Sequence, residues 1–191
     1  MNIEMLDTFV GVARGLFDKE LCEEIIAKFK SSKGLQEDVS VGDGKLTFVN
    51  LSEHWKDLDK RVLWNMEKLF PKYREMFPEL EMYNVSDSGY LVHHYDKGEG
   101  SFDWHCDSNH ADGSVLTMYV YLNDVEEGGE TEFLNQKIKV SPKQGDVLIV
   151  PASWTYKHRE LASTSGDKYV LITKFIRNVN PTPTKEDNAT T

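Results

Sequence analysis

The chain has 191 residues, 39% hydrophobic and 28% charged, which excludes a wholly disordered protein and predicts one folded domain. With a net charge of −10 and no apolar run near the roughly 18 residues of a membrane span, we expect neither a nucleic-acid nor a membrane partner. No signal peptide is recognisable, and the two cysteines, Cys22 and Cys106, cannot form a disulfide framework, so we expect a cytoplasmic location.

The first half of the chain has helical periodicity. Residues 18–30 and 52–70 place apolar side chains on one stripe, which predicts two amphipathic helices. Asp18 and Ser52 stand where an N-cap residue is expected. Prolines at both ends of 71–78 predict that a short third helix or turn follows the second helix.

The second half of the chain is dominated by aromatic and β-branched residues, as strands are. Predicted strands cover residues 89–96, 114–122, 130–134, 136–140, 146–150, 153–158 and 167–177. Many short strands at close spacing favour a barrel or jelly roll. We therefore predict a single α+β domain over 1–177, in which 1–87 is mainly helical support and 88–177 is the barrel. A disordered tail is predicted over 178–191.

Three His-x-Asp triplets occur, at residues 94–96, 105–107 and 110–112. On a strand, residues i and i+2 point to the same side, so each triplet offers one imidazole and one carboxylate to a metal. The triplet alone is a weak signal, and context favours the middle one, because His158 follows a predicted aromatic strand and can supply a third ligand. Two His and one carboxylate form the facial triad of non-haem Fe(II) oxygenases, although zinc is chemically compatible too. The alternative is that His105 and His158 are ordinary histidines at a barrel mouth.

Further motifs follow Tyr95 in a fixed order. They are residues 117–123 (TMYVYLN), 127–133 (EGGETEF), 142–146 (PKQGD) and 166–169 (GDKY), with Lys168 ten residues beyond His158. Together with His105-Cys106-Asp107, these residues resemble the 2-oxoglutarate- and Fe(II)-dependent oxygenases, specifically the prolyl 4-hydroxylase branch, over roughly residues 88–177. The resemblance implies a double-stranded β-helix (jelly-roll) barrel flanked by N-terminal helices.

The resemblance also implies a chemistry and a set of site residues. Fe(II) would be bound by His105, Asp107 and His158, and the cosubstrate 2-oxoglutarate by Lys168, Tyr95 and Thr131. A lysine deep in the barrel would pair with the distal carboxylate of 2-oxoglutarate. The implied reaction hydroxylates a C–H bond with dioxygen and releases succinate and CO2. Ascorbate is expected as a reductant from the resemblance alone.

The substrate half of the site departs from the family pattern. Prolyl 4-hydroxylases often carry Arg where this chain has Ser114 and Trp where it has Phe175, and Tyr95 lies one residue further from the His-x-Asp triplet than in close relatives. We interpret the substrate as a peptidyl proline. The alternatives are a free amino acid, another protein side chain or a small metabolite, and, from a different class, a cupin-like barrel that binds a ligand without catalysis.

Two loops are expected to line the entrance to the metal. They are residues 108–113, which follow Asp107, and the Gly-rich stretch 42–44, which has the composition of a lid and is predicted as a loop or hairpin tip. His110 is expected to be solvated and without a catalytic role. Cys106, between the two ligands of its triplet, is expected to face away from the metal.

Overall fold

The computed structural model describes residues 2–41, 44–98, 102–108 and 113–178. Its α-helices are α1 (Lys19–Ser31), α2 (Leu51–His54) and α3 (Lys56–Met76), and short 3-10 helices cover Lys33–Leu35, Pro78–Met82 and Trp154–Tyr156. Its strands are β1 (Ile3–Asp7), β2 (Val10–Ala13), β3 (Glu37–Val41), β4 (Gly44–Asn50), β5 (Val85–Asp87), β6 (Leu91–Tyr95), β7 (Phe102–His105), β8 (Ser114–Tyr121), β9 (Thr131–Phe133), β10 (Ile138–Val140), β11 (Val147–Pro151), β12 (His158–Glu160) and β13 (Lys168–Arg177). No helix within these residues is long and apolar enough to cross a bilayer.

The strands form two antiparallel sheets. In the described residues, the larger sheet runs in the order β1-β2-β11-β8-β13-β6-β4-β3, with β5 paired to β13. The smaller sheet runs β10-β9-β12-β7. Its strands are short, whereas β8 and β13 at the centre of the larger sheet have 8 and 10 residues. The long strands therefore form the centre of the larger sheet, and the short strands of the smaller sheet cover one face of it.

Alternation along β8 separates two hydrophobic cores. Leu116, Met118 and Val120 pack in one core together with apolar residues of α1 and α3. Tyr119 and Tyr121, which point the other way, pack in a second core with residues of both sheets. One face of the larger sheet thus carries the helices, and its other face and the smaller sheet enclose the barrel interior.

Helix α1 begins where the sequence predicts. The Asp18 side chain accepts a hydrogen bond of 2.7 Å from the Leu21 backbone N–H, which makes it the N-cap. Leu21, Cys22, Ile25 and Phe29 are buried on the stripe that faces the sheet. The predicted helix over 18–30 is confirmed to within one residue at each end.

The second predicted helix is interrupted, contrary to the prediction of one helix over 52–70. Trp55, with φ −128° and ψ 69°, separates α2 from α3. Asn50 rather than Ser52 is the N-cap of α2, because its side chain accepts from the Glu53 N–H at 3.0 Å. Ser52 instead donates to Asp59 and accepts from the Tyr90 N–H at 2.9 Å, so its hydroxyl ties the helical segment to the sheet.

Helix α3 continues through Pro71 to Met76, so the prediction that Pro71 ends it is wrong. Proline within a helix removes one N–H donor and costs about 3 kcal/mol. Leu69 and Tyr73 on either side are fully buried, and the Tyr73 hydroxyl donates to the Phe9 carbonyl oxygen at 2.6 Å. Tertiary packing of this face offsets the cost of the proline.

The strands in the first 50 residues were not predicted from the sequence. β2 pairs with β11 and β4 pairs with β6, so strands of the amino-terminal half extend the larger sheet at both ends. β3 and β4 form a hairpin in which Val41 pairs with Gly44. Residues 42 and 43 of the stretch 42–44, predicted as a loop or hairpin tip, lie outside the described residues. Four- and five-residue strands carry too few alternations to be distinguished from loops in a sequence.

The predicted strand over 153–158 is wrong. A 3-10 helix over Trp154–Tyr156 precedes β12, and Trp154 is exposed. The prediction followed the aromatic residues of this segment, which are common in strands but do not alternate between two faces here. Two further expectations concern residues outside the described ranges: most of the loop 108–113 and all but the first residue of the tail 178–191.

Candidate metal centre

The three predicted metal ligands meet between two neighbouring strands of the smaller sheet. His105 is the last residue of β7, and His158, the first residue of β12, is its direct partner in the antiparallel pairing. Asp107 follows two residues after His105. One ligand atom from each of the three side chains lies within 4.8 Å of the others. The local sequence sets the positions of His105 and Asp107, and strand pairing brings in His158.

Both imidazoles present Nε2 to the centre of this cluster. His105 Nδ1 lies 2.8 Å from the Asp103 carbonyl oxygen, and His158 Nδ1 lies 3.0 Å from the Tyr156 carbonyl oxygen. An Nδ1–H donated to a carbonyl leaves the Nε2 lone pair free for a metal. The two Nε2 atoms are 3.9 and 3.8 Å from the oxygens of Asp107. Burial, and next His158, lower the pKa of His105, which favours the neutral imidazole that metals bind.

This donor set fits Fe(II). Two imidazole nitrogens and one carboxylate on one side of the metal leave further coordination positions for other ligands. His105 and Asp107 are partly accessible, and His158 is buried, so the set opens toward one side. The assignment of these three residues as the ligands stays a prediction, now with a geometry that supports it.

Tyr119 is a residue of this site that the sequence analysis missed. It projects from β8, and its hydroxyl donates to Asp107 Oδ2 and lies 3.0 Å from His158 Nε2. Burial, and next the charge of Asp107, raise the pKa of Tyr119 well above its ordinary value, so the phenol is a neutral donor. Strand alternation was the available signal, because Tyr119 shares a face with Thr117 and Tyr121.

A cavity of about 540 Å³ opens onto the three candidate ligands. The remaining side chains of its wall include His93, Tyr95, Phe102, Glu160, Ile172 and Lys174. Burial lowers the pKa of His93 to about 4, so this imidazole is neutral at neutral pH. The cavity has the size of a small-molecule site and a largely apolar wall with a few polar groups, as such sites commonly have.

The three residues predicted to bind 2-oxoglutarate lie on β6, β9 and β13. Tyr95 lines the cavity and is the register partner of Lys168, whose Nζ is 5.6 Å from the centre of the Tyr95 ring. Thr131 is fully buried, and its hydroxyl donates to Glu160 Oε1 at 2.7 Å. Lys168 is buried, pairs with Glu160 Oε2 and donates to the Gly129 carbonyl oxygen at 2.7 Å. The cosubstrate-binding role of these residues stays a prediction, and Glu160 is an addition that the sequence analysis missed.

The Gly128-Gly129 turn positions one of the partners of Lys168. Both residues have positive φ, +74° and +72°, and a Cβ on Gly128 would lie 2.3 Å from the Ala162 carbonyl oxygen. Only glycine allows this backbone conformation together with so close an approach. The turn thereby directs the Gly129 carbonyl oxygen at the Lys168 ammonium.

The His-x-Asp triplet at residues 94–96 does not join this cluster. His94 and Asp96 form a separate group with Asp167, and the His94 ring stacks on Tyr169 at 4.4 Å. Because His94 neighbours His93 on β6, its side chain points to the helix-bearing side, where it contacts Phe29 of α1. Residues 110–112 lie outside the described ranges.

Two expectations about the cavity wall need correction. Cys106 is part of the wall rather than turned away from it, because β7 ends at His105 and the alternation of a strand does not extend further. Phe175, at the position that faces substrate in the resembled family, stacks on Phe70 of α3 at 4.3 Å, with both rings nearly parallel. Phe175 is therefore a core residue of the helix-bearing side.

Comparison with known proteins agrees with this site. The family model described as the 2OG-Fe(II) oxygenase superfamily matches residues 90–177, the part of the chain that holds the candidate ligands and the cavity. The chain resembles this superfamily over that part of its length. The family implies Fe(II) and 2-oxoglutarate, and the His105, Asp107 and His158 donor set fits the metal.

The curated relatives are much longer than this chain. It is 24% identical over 168 residues to the multifunctional procollagen lysine hydroxylase and glycosyltransferase LH3 of Rattus norvegicus, a match that covers 82% of this chain and 22% of the relative. It is 23% identical over 168 residues to procollagen-lysine,2-oxoglutarate 5-dioxygenase 1 of Mus musculus, with the same coverage of both proteins. The chain thus spans about a fifth of the length of the curated relatives it matches.

Solved structures share the fold. A viral collagen prolyl hydroxylase from Paramecium Bursaria Chlorella virus-1 is 19% identical, with a TM-score of 0.67 over 89% of this chain and 96% of that one. A Pseudomonas putida prolyl-4-hydroxylase is 15% identical, with a TM-score of 0.70 over 88% and 92%. A Trichoplax adhaerens prolyl hydroxylase, in complex with a peptide fragment of a hypoxia inducible factor, is 13% identical, with a TM-score of 0.71 over 88% and 84%. The predicted jelly-roll barrel with flanking helices is confirmed.

Proposed function

We propose that this chain is a 2-oxoglutarate- and Fe(II)-dependent dioxygenase that hydroxylates a peptidyl proline. The observation that carries the proposal is the convergence of His105, Asp107 and His158 at the wall of the cavity, with both Nε2 atoms directed at the Asp107 carboxylate. A protein that only binds a ligand has no need of a three-residue metal site that is open on one side. This geometry favours catalysis over the cupin-like alternative.

The residues of the chain would divide the work of the reaction. Fe(II) with 2-oxoglutarate supplies the activation of dioxygen and the insertion of one oxygen atom into a C–H bond, with release of succinate and CO2. His105, Asp107 and His158 would hold the metal from one side and leave its other side to the cavity. Phe102 and Ile172 contribute apolar surface to the wall of that cavity.

A peptide substrate is supported by the solved neighbours. One of them holds a peptide fragment, and two others are named for prolyl hydroxylation, of collagen in the viral case. The three candidate ligands belong to the cavity wall, so a side chain of a peptide that entered the cavity could reach them. We propose peptidyl proline as the substrate on this basis, with dioxygen as the second substrate and ascorbate as the reductant.

Peptidyl lysine is the second candidate. The curated relatives that match 82% of this chain are procollagen lysine hydroxylases. The chain also lacks the Arg and Trp expected of prolyl 4-hydroxylases at positions 114 and 175, where it has Ser114 and Phe175, so its sequence departs from the pattern of that branch. Both candidates share the same metal centre and differ only in the residue that is hydroxylated.

Paired peptide assays separate these candidates. The protein is incubated with Fe(II), 2-oxoglutarate, ascorbate and proline-rich peptides with or without lysine, and products are measured as succinate and as peptides that gain one oxygen. We expect oxygen on proline. Oxygen confined to lysine would replace the proposal with its second candidate, and no succinate under any condition would reject the oxygenase function.

A variant pair links that activity to the candidate metal centre. Asp107→Ala removes the carboxylate shared by both imidazoles, and we expect it to abolish metal binding and succinate release. Asp96→Ala makes the same change in another His-x-Asp triplet, at an exposed carboxylate of the separate group, and should leave both unchanged. Activity that depends on Asp96 and not on Asp107 would show that the metal lies at the other triplet.

A further inference from the structure

A buried carboxylate belongs to the cavity wall, beside the lysine predicted to bind the cosubstrate. Glu160 is only 6% exposed and Lys168 only 2%. They belong to different sheets, Glu160 to β12 and Lys168 to β13, and their side chains meet across the barrel interior in an ion pair. The function proposed above gives this carboxylate no role.

Both oxygens of Glu160 are held in place. Lys168 pairs with Oε2, and the Thr131 hydroxyl donates to Oε1 at 2.7 Å. The Tyr121 hydroxyl lies 3.0 Å from the Thr131 hydroxyl and extends the network. On the other side, the Lys168 ammonium donates to the Gly129 carbonyl oxygen at 2.7 Å. The ammonium therefore has two acceptors from the protein itself.

Glu160 lies between the cavity and Lys168. It belongs to the cavity wall, whereas Lys168 and Thr131, both described residues, do not. A 2-oxo dicarboxylate whose keto-acid end lay at the three candidate metal ligands would bring its distal carboxylate toward Glu160 before it reached Lys168. Two carboxylates in one buried site repel each other, and a single ammonium cannot fully compensate both.

We propose that Glu160 determines cosubstrate affinity by occupying the site of the distal carboxylate of 2-oxoglutarate. This inference rests on the function proposed above and adds to it a built-in competitor. 2-Oxoglutarate must displace the Glu160 carboxylate from Lys168 in order to bind, which weakens its binding. A five-carbon 2-oxo acid without the distal carboxylate, 2-oxopentanoate, does not compete with Glu160, so its affinity does not depend on this residue.

Binding titrations test the inference without turnover. The full chain is loaded with Mn(II) in place of Fe(II) under anaerobic conditions and titrated calorimetrically with 2-oxoglutarate and with 2-oxopentanoate. Glu160→Gln keeps the shape of the side chain and removes its charge. We expect it to tighten 2-oxoglutarate binding by about tenfold or more and to leave 2-oxopentanoate binding within about twofold. Equal or weaker binding of 2-oxoglutarate to the variant would overturn the inference.

Glu132→Gln is the matched control. Glu132 lies on the neighbouring strand β9, next to Thr131, which points inward. The Glu132 carboxylate pairs with Arg159 of β12 at 2.6 Å. The same loss of charge there should leave both affinities unchanged. A tenfold gain in this control as well would attribute the effect to net charge and overturn the assignment to Glu160.

The wild-type protein gives a second test that needs no folded variant. Because Lys168 is already paired with Glu160, we expect the wild-type protein to bind 2-oxoglutarate no more than about tenfold more tightly than 2-oxopentanoate. A preference above about a hundredfold would overturn the inference. Failure of the proposed function gives a different pattern: Mn(II) binds, but neither 2-oxo acid binds to either protein. Normal 2-oxoglutarate binding and succinate release without any effect of Glu160→Gln would reject the inference alone.

Discussion

At the residue scale, the candidate metal centre depends on hydrogen bonds that fix side chains before any metal arrives. The carbonyl oxygens of Asp103 and Tyr156 orient the two imidazoles, and Tyr119 contacts both Asp107 and His158. Such outer partners set ligand orientation and basicity, and their loss commonly weakens metal binding by 10- to 100-fold. The sequence predicts the ligands, but these partners come from the backbone and from another sheet.

Removal of the Tyr119 hydroxyl tests this role. Tyr119→Phe keeps the ring and deletes the donor to Asp107, so we expect metal affinity to fall by about tenfold or more. Competitive titration with a chromophoric chelator measures the change. Tyr121→Phe is the control, because its hydroxyl contacts Thr131 instead, and it should leave metal affinity unchanged. Equal metal affinity in the wild type and Tyr119→Phe would show that this contact is incidental.

Lys168 has a structural role in addition to its predicted cosubstrate role. Lys168→Met leaves the Glu160 carboxylate buried without its cation, which should lower the free energy of unfolding by about 3–5 kcal/mol. Lys168→Met combined with Glu160→Leu removes both charges and should recover most of that loss, since apolar replacement of a buried pair is often neutral. Urea denaturation measures the free energy of unfolding of both proteins. If Lys168→Met alone were as stable as the wild type, the result would contradict a buried ion pair.

At the element scale, local signals placed α1 correctly and tertiary packing overrode them in α3. The Asp18 cap is a local interaction between residues three apart, so it is visible in the sequence. Continuation of α3 through Pro71 depends on burial of Leu69 and Tyr73 against other elements, which the local pattern does not report. Strands β2 and β4 were missed for the same reason, because β11 and β6, which join them to the rest of the sheet, lie far along the chain.

The α1 cap gives a prediction at this scale. Asp18→Ala removes the acceptor for the Leu21 N–H and should lower the free energy of unfolding by about 1 kcal/mol, within the usual range for an N-cap. Asp18→Asn keeps an equivalent cap and should stay within a few tenths of a kcal/mol of the wild type. Thermal denaturation followed by circular dichroism distinguishes the two. Equal losses in both variants would assign the effect to charge rather than to the cap.

At the scale of the whole molecule, closure of the barrel buries ionisable groups and makes stability depend on pH. Burial holds the pKa of His93 at about 4, below the value of 6.5 in an unfolded chain. The unfolded state therefore binds a proton first as the pH falls, and stability decreases between about pH 6.5 and 4. Above pH 6.5 this histidine makes no contribution to the pH dependence.

His93→Gln tests the pH dependence. In the metal-free protein, we expect His93 to account for a loss of at most about 3 kcal/mol between pH 6.5 and 4, and the variant to lose correspondingly less over that interval. Denaturant titrations at several pH values give the slope of the free energy of unfolding against pH. His54→Gln is a control at an exposed histidine of α2, whose removal should leave the slope unchanged. An identical slope in His93→Gln and the wild type would show that other groups cause the pH dependence.

The class of fold, the superfamily pattern and the three candidate ligands could be predicted from the order of the amino acids alone. These depend on strand alternation, on the spacing of His105 and Asp107, and on motifs within short segments. The tertiary structure decided which side chains meet from separate sheets: Tyr119 with Asp107, and Glu160 with Lys168. The alternation of side chains along a strand assigns each residue to one face of its sheet. Only the packing of the two sheets against each other decides which inward-facing groups lie within hydrogen-bonding distance.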